Sequence, residues 1–367
     1  MTNRPETDGD DVTQMHDRTI PLTAPPRRPR PRARQDAALA LAALAAFGWR
    51  GAPAAAQDAP LAYVSNEHSG TITVIDTGTD RVVATIPVGE GRPRGLRLSP
   101  DGRTLYVAIS DENPFVVGPV DGILVIDAAT RTAVEKLPGG TDPEQFAVHP
   151  DGTRLYVANE DAGTASVLDL RTKQVIATLT VGIEPEGVGI SPDGRWVYVT
   201  AETSNTVSVI DTEANRVVAN FLVDIRPRHA EFAPDGRRAY VTAEIGGTVS
   251  FVDVPAHEVA HVVELAGGEA KPVGAVVSPD GKFVYVANGH ANSVSFVDTE
   301  RATVVAEVPV GERPWGIGIT PDGKKLYTAN GVSNDVSVID VETRKVIATV
   351  PAGRGPWGVA VGPRVAP

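Results

Sequence analysis

The sequence predicts an all-β fold, a seven-bladed β-propeller with four antiparallel strands per blade and a ring closed by the C-terminal strand pairing with the N-terminal blade. Three recurring anchors carry that prediction. A Pro-Asp-Gly turn returns at Pro100, Pro150, Pro192, Pro234, Pro279 and Pro321, most often 42 residues apart, and a tyrosine follows each proline by six residues. Tyr63 is a seventh tyrosine without its turn. An aspartate ends a Val-Ile-Asp-like run at Asp76, Asp127, Asp169, Asp211, Asp253, Asp298 and Asp340, and a proline opens the next stretch at Pro93, Pro143, Pro185, Pro227, Pro272, Pro314 and Pro356. A period of this size made of short strands marks a propeller blade, whereas two-helix solenoids would carry a 3.6-residue apolar rhythm that is absent.

Arg27 to Arg34 (RRPRPRAR) precede an apolar run from Ala37 to Phe47 and then the small residues of APAAAQ, the order of a secretory signal cut after Ala56. The run is shorter than the ~20 apolar residues of a spanning helix. Residues 1–56 are therefore expected to be an N-terminal extension and export signal, and residues 57–367 a single propeller that works in the periplasm or outside the cell, with no membrane span.

The propeller is entered at Leu61 to Glu67 (LAYVSNE), a second strand that lacks a first. A full unit reads as Gly187 to Ser191, Trp196 to Glu202, Thr206 to Asp211 and Arg216 to Val223. Between its first two strands, Ser-Pro-Asp-Gly is turn chemistry: proline presets φ, aspartate bonds nearby backbone and glycine accepts positive φ. Paired Val and Ile in the middle strands suit a sheet covered on both faces. Gly189, Gly318 and Gly358 fall in first strands, where crowding around the axis leaves little room for side chains. Trp357 to Val361 (WGVAV) is a first strand without a second, and pairs with the entry strand.

Composition sets the chemical limits. Hydrophobic residues make up 42% of the chain, and 36 Gly with 30 Pro indicate many turns. The absence of cysteine excludes disulfides, thiolate metal sites and Cys-x-x-Cys-His haem attachment. The formal net charge is -12; beyond Ala56, 26 basic against 40 acidic residues give -14, which repels nucleic acid.

Length variation points to one face. Proline to tyrosine is invariant, but tyrosine to aspartate is 13 residues in six copies and 21 in the second, where Ser110 to Gly122 holds the extra length. Aspartate to proline extends to 19 before Pro272 and 17 before Pro93. Loops that vary on a rigid scaffold are where binding usually lives. Around the opening prolines stand Arg92, Arg94, Arg226, Arg228, His229, Lys271 and Arg313, opposed by Asp142, Glu144, Glu184 and Glu186, with Glu67, Glu160, Glu202 and Glu244 at the ends of second strands. Such a mouth is suited to a carboxylate or phosphate at the arginines, or a cation among the glutamates. Trp315 and Trp357 are placed to stack on a ligand or to pack at the ring closure. The expected ligand set is Arg92, Arg94, Glu160, Glu202, Arg226, Arg228, His229, Glu244, Arg313, Trp315 and Trp357, with Asp111, Glu112, Asn113 and Phe115 on a partner loop. No residue set is assigned as catalytic or metal-ligating: His68, His229 and His290 lie in different copies, His257 and His261 fall around a turn and strand, and no Gly-x-Ser-x-Gly elbow occurs.

With YVSN (Tyr63 to Asn66), YVAN (from Tyr156 and Tyr285), YVTA (from Tyr198 and Tyr240) and SPDG, residues Leu61 to Pro363 resemble the YVTN-repeat β-propeller family. Phrases such as GRPRGLRLSPDG and RPWGIGITPDGKKLYTANG most resemble its PQQ-dependent catabolism-associated members. That resemblance implies an exported, non-catalytic accessory, binding or scaffold protein linked to periplasmic alcohol oxidation, partnered by a quinoprotein dehydrogenase or its electron-transfer proteins. It does not imply that pyrroloquinoline quinone is held as a catalytic cofactor. Two alternatives stand beside it. The SPDGR...YV phrase is shared with lactonases of the phosphogluconolactonase kind, which implies a hydrolase at the propeller mouth, and surface-layer or adhesion proteins use the same blades as spacers.

Overall fold

The computed structural model describes residues 59–111, 118 and 120–366; the expected export segment and Glu112, Asn113 and Phe115 of the expected partner loop lie outside them. Twenty-eight strands, numbered β1 to β28 in chain order, form seven four-stranded antiparallel sheets. Six sheets run in chain order from an inner to an outer strand. Their inner strands are β4 (Arg92–Leu98), β8 (Pro143–Val148), β12 (Pro185–Ile190), β16 (Pro227–Phe232), β20 (Pro272–Val277) and β24 (Pro314–Ile319). The seventh sheet has the order β28-β1-β2-β3, with β28 (Pro356–Gly362) inside β1 (Leu61–Asn66), β2 (Thr71–Asp76) and β3 (Arg81–Pro87). Tyr63 pairs with Ala360 and Leu61 with Gly362, so the last strand closes the ring as its sequence requires. Arg364 pairs with Asp76 across the same seam. No helix among the described residues is long and apolar enough to cross a membrane.

The repeated residues do local work. In the Pro-Asp-Gly turn, Asp101 Oδ1 accepts from the Ser99 hydroxyl and the Arg103 amide at 2.6 and 3.0 Å, and Gly102 has φ 71°. Aspartates that end third strands close the next turn: Asp76, Asp169 and Asp340 accept from amides three residues on at 2.6–2.8 Å. The tyrosines are buried between sheets and reach the neighbouring blade, with Tyr327 donating to Asp80 at 2.5 Å and Tyr156 to Asn215 at 3.2 Å. Burial raises the phenol pKa, to about 12 at Tyr156.

Apolar clusters span each blade-to-blade junction, for example Tyr198, Val209, Phe232 and Val241. At ~25 cal/mol per Å² of apolar surface buried, such double-sided cover is the main source of stability. The inner glycines answer to the crowding expected of them. A Cβ on Gly189 would collide with the Ala230 carbonyl, and one on Gly358 would lie 3.0 Å from the Arg94 carbonyl oxygen. Gly318 differs, because its nearest neighbours are the side chains of Val359 and Val361. Asp121 accepts from the amides of Asp111 and Asp142, and Ala266–Gly268 form a 3-10 turn before β20.

Candidate functional site: a sealed mouth above a polar channel

Because each inner strand carries its proline at or one residue after its start, equivalent residues stack in levels around the axis. The residue after the proline forms the uppermost level: Arg94, Glu144, Glu186, Arg228, Val273, Trp315 and Trp357. The charged side chains of this level form ion pairs, although Arg94 Nε, both Glu144 carboxylate oxygens, Glu186 Oε1 and Arg228 Nε are buried without a hydrogen-bond partner. Arg94 pairs with Glu144 and lies 3.5 Å from Glu67, which also meets Arg92 at 3.0 Å. Arg228 pairs with Glu202, meets Glu186 at 2.7 Å and Glu244 at 3.5 Å, and places its guanidinium 5.0 Å from the Trp315 ring centre. Arg226 and Arg313 complete the rim, Arg226 2.8 Å from Glu202 and Arg313 3.5 Å from Glu244. Trp315 and Trp357 stack with centroids 6.2 Å apart.

Seven carboxyl groups (Glu67, Asp142, Glu144, Glu160, Glu186, Glu202, Glu244) meet five guanidinium groups (Arg92, Arg94, Arg226, Arg228, Arg313). Burial and the neighbouring Glu144 push the Glu160 carboxyl up to about 9, so it is protonated at neutral pH. Burial also pushes Glu186 well up, against the pull of Arg228. For Arg94, burial alone would lower the pKa, but Glu144, Glu67 and Asp142 raise it above the ordinary arginine value. Asp142, Glu144 and Glu160 bring carboxylate oxygens within 4.8 Å of one another, a spacing that could take a cation.

The exposure of these groups decides their role. The side chains of Glu144, Glu186 and Arg228 are 1%, 3% and 6% exposed. The inner part of the mouth is a packed layer of ion pairs, whereas Arg226 and Arg313 at the rim pair with Glu202 and Glu244 while remaining 43% and 37% exposed. Around the ring, Glu144 and Glu186 of β8 and β12 lie between Arg94 of β4 and Arg228 of β16.

Below that layer lies a central cavity of about 370 Å³. Its polar side carries Gln145, His229, Glu231 and Arg97; the opposite wall is apolar, built from β20, β24 and β28. His229 Nε2 lies 3.3 Å from Glu231 Oε2, and its Nδ1 lies 3.1 Å from the Gln145 side-chain oxygen. Glu231 is 32% exposed, far more than the layer above. Arg97 donates to the Leu96 carbonyl at 3.0 Å, and among the described residues no carboxylate stands within ion-pair distance of it. Burial lowers the Arg97 pKa, opposed only by the field of Glu231.

Of the expected ligand residues, His229, Trp315 and Trp357 line this cavity. Arg92, Arg94, Glu160, Glu202, Arg226, Arg228, Glu244 and Arg313 form the layer and rim, and Asp111 stands at the base of the long loop, its carbonyl accepting from Arg92 Nε at 2.8 Å. Arg97, Gln145 and Glu231 were missed. Their signal was available: they interrupt first-strand slots that hold Gly, Ala or Val in other copies.

Residues 217–350 match the family model described as "Lactonase, 7-bladed beta-propeller", and residues 54–225 match the "Choice-of-anchor I domain". The chain shares the lactonase propeller fold. A structure named "a putative 6-phosphogluconolactonase" from Bacteroides uniformis ATCC 8492 aligns with TM-score 0.69 at 20% identity, over 83% of this chain and 99% of that one. Hydrazine synthase of Kuenenia stuttgartiensis aligns with TM-score 0.65 at 25% identity, over 75% of this chain and 96% of that one. The antigen Lp49 of Leptospira interrogans is 33% identical over 107 residues, 26% of this chain, and the match spans 22% of that protein's length.

Proposed function

We propose that the protein is a lactonase-type hydrolase whose chemistry takes place in the central channel. The lactonase family match and the similar 6-phosphogluconolactonase-like fold support this reading over an accessory role in quinone-dependent alcohol oxidation. The observation that carries it is the trio of Glu231, His229 and Arg97 facing one cavity, with Glu231 oriented by His229 and Arg97 free of ion pairs.

Ring opening of a lactone needs a base for water and a positive group for the developing oxyanion. A ring N–H of His229 donating to one Glu231 oxygen leaves the other for a water. Glu231 takes a proton from that water as its oxygen bonds to the lactone carbonyl carbon, and Arg97 stabilises the carbonyl oxygen as it gains charge. The ring C–O bond then breaks, the ring oxygen receives the proton from Glu231, and the new carboxylic acid ionises to release one proton. Arg97 also suits that carboxylate, because charge-assisted hydrogen bonds are the strong ones.

A pH-indicator assay over γ- and δ-lactones tests this. Glu231→Gln is expected to lower kcat by about a hundred- to ten-thousand-fold, the range of general acid–base contributions, with the melting temperature kept. A wild-type rate no higher than buffer, or full activity in Glu231→Gln, would overturn the assignment.

A further inference from the structure

The channel is lopsided. The blades of β4, β8 and β16 supply its polar groups, Arg97, Gln145, His229 and Glu231. The blades of β20, β24 and β28 face them with Val276, Ile319, Val361 and Ala360, and offer no side-chain hydrogen-bond donor or acceptor at these levels. Above, the stacked Trp315 and Trp357 close the apolar side. A polyhydroxylated ligand would lay hydroxyl groups on that wall without partners, at a cost for each one stripped of water. A ligand with an apolar body loses nothing there.

Charge narrows the class further. Arg97 is the only arginine or lysine among the residues lining the cavity, and Glu231 is close enough for its field to act on the guanidinium. One positive and one negative side chain balance a single incoming anion poorly and a dianion worse, since every added negative charge also meets Glu231. A singly charged head with its body pointing away from Glu231 fits best.

We propose that the channel is built for unphosphorylated, apolar-bodied lactones and binds their monocarboxylate form, with the carboxylate on Arg97 and the hydrocarbon on the β20–β24–β28 wall. This rests on the hydrolase reading for the lactone, but the carboxylate site stands on the cavity alone. The reaction balances as lactone plus water giving one hydroxycarboxylate and one proton.

Titration calorimetry of the folded protein with sodium octanoate, sodium gluconate and 6-phosphogluconate tests it. Octanoate is expected to bind at least about tenfold more tightly than gluconate, with 6-phosphogluconate weakest. Arg97→Gln should weaken octanoate by about tenfold or more, the size of one charge-assisted contact, and Glu231→Gln should strengthen both octanoate and 6-phosphogluconate, an effect that mere structural damage would not produce. Should Arg97→Gln fold poorly, Val276→Asn on the far wall provides the second arm, weakening octanoate but not gluconate. Equal affinity for gluconate and octanoate, tighter binding of 6-phosphogluconate, or octanoate affinity indifferent to Arg97→Gln would each overturn the proposal. Octanoate binding without turnover of any lactone would remove the hydrolase and leave the site; turnover of sugar lactones that octanoate does not inhibit would do the reverse.

Discussion

The layer at the mouth and the channel beneath it hold the same kinds of residue, arginine, glutamate and an aromatic or imidazole ring, yet they differ in whether those residues are spoken for. Arg228 is ringed by Glu186, Glu202 and Glu244 and covered by Trp315. Arg97, two levels further along the axis, has one carbonyl and no ion pair. A dense cluster of charge therefore marks a structural plug here, and the sparse, unmatched groups mark the place where a ligand has something to offer. Buried ion pairs cost desolvation that their attraction only partly repays, and they are severe to break because the survivors stay buried.

That contrast can be broken most forcefully at Arg228. Arg228→Met leaves three carboxylates facing one another in a dry layer and is expected to cost about 3–5 kcal/mol of stability, read as a lower midpoint in urea denaturation. A loss no larger than that of a surface ion pair would mean the layer is wet and open after all.

A smaller effect, with a distinctive pH dependence, is expected at Glu160. Its folded pKa of about 9 lies above the ordinary value of 4.5, so the folded chain holds a proton that the unfolded chain releases. The stabilisation is complete below pH 4.5 and is lost as pH rises through 9. Glu160→Gln keeps the neutral form at every pH, so its melting temperature should equal that of the wild type near pH 4 and exceed it increasingly up to pH 9. A constant difference across that range would contradict a protonated Glu160.

The smallest change in stability belongs to Arg97. Arg97→Met removes a charge that burial disfavours and no carboxylate pairs with, so stability should move by less than about 1 kcal/mol, no more than an exposed ion pair contributes. The same denaturation series as for Arg228 decides it, and a comparable loss at both arginines would erase the distinction between plug and channel.

The fold was nearly all legible, because turn, tyrosine, aspartate and proline recur at fixed offsets and each satisfies a local need that the sequence alone displays. The closure of β28 on β1 followed from a strand without a partner at either end. The site was legible only in part. Counting charges near the opening prolines and at second-strand ends found Arg94, Glu160 and Arg228, but whether an arginine is paired depends on which blades meet, as Arg228 of β16 reaching Trp315 of β24 shows. Glu231 and Arg97 passed unnoticed because a single polar residue in an apolar strand looks like solvent-facing alternation until the strand is known to line a cavity.

The glycine at the second inner position has one more consequence. In β4, β12, β20, β24 and β28 that slot is glycine, and at Gly274 and Gly316 the next strand's carbonyl oxygen stands 2.5 Å from where a methyl would go. Five of the seven columns are thereby forbidden to diversify at that height without prying adjacent sheets apart. Gln145 and His229 occupy the same height in β8 and β16, where a longer side chain is accommodated. Drift in ligand preference among descendants of this chain is thus channelled to a few columns, and a redesign for a new substrate has its freest choices at 145 and 229, not around the whole circumference.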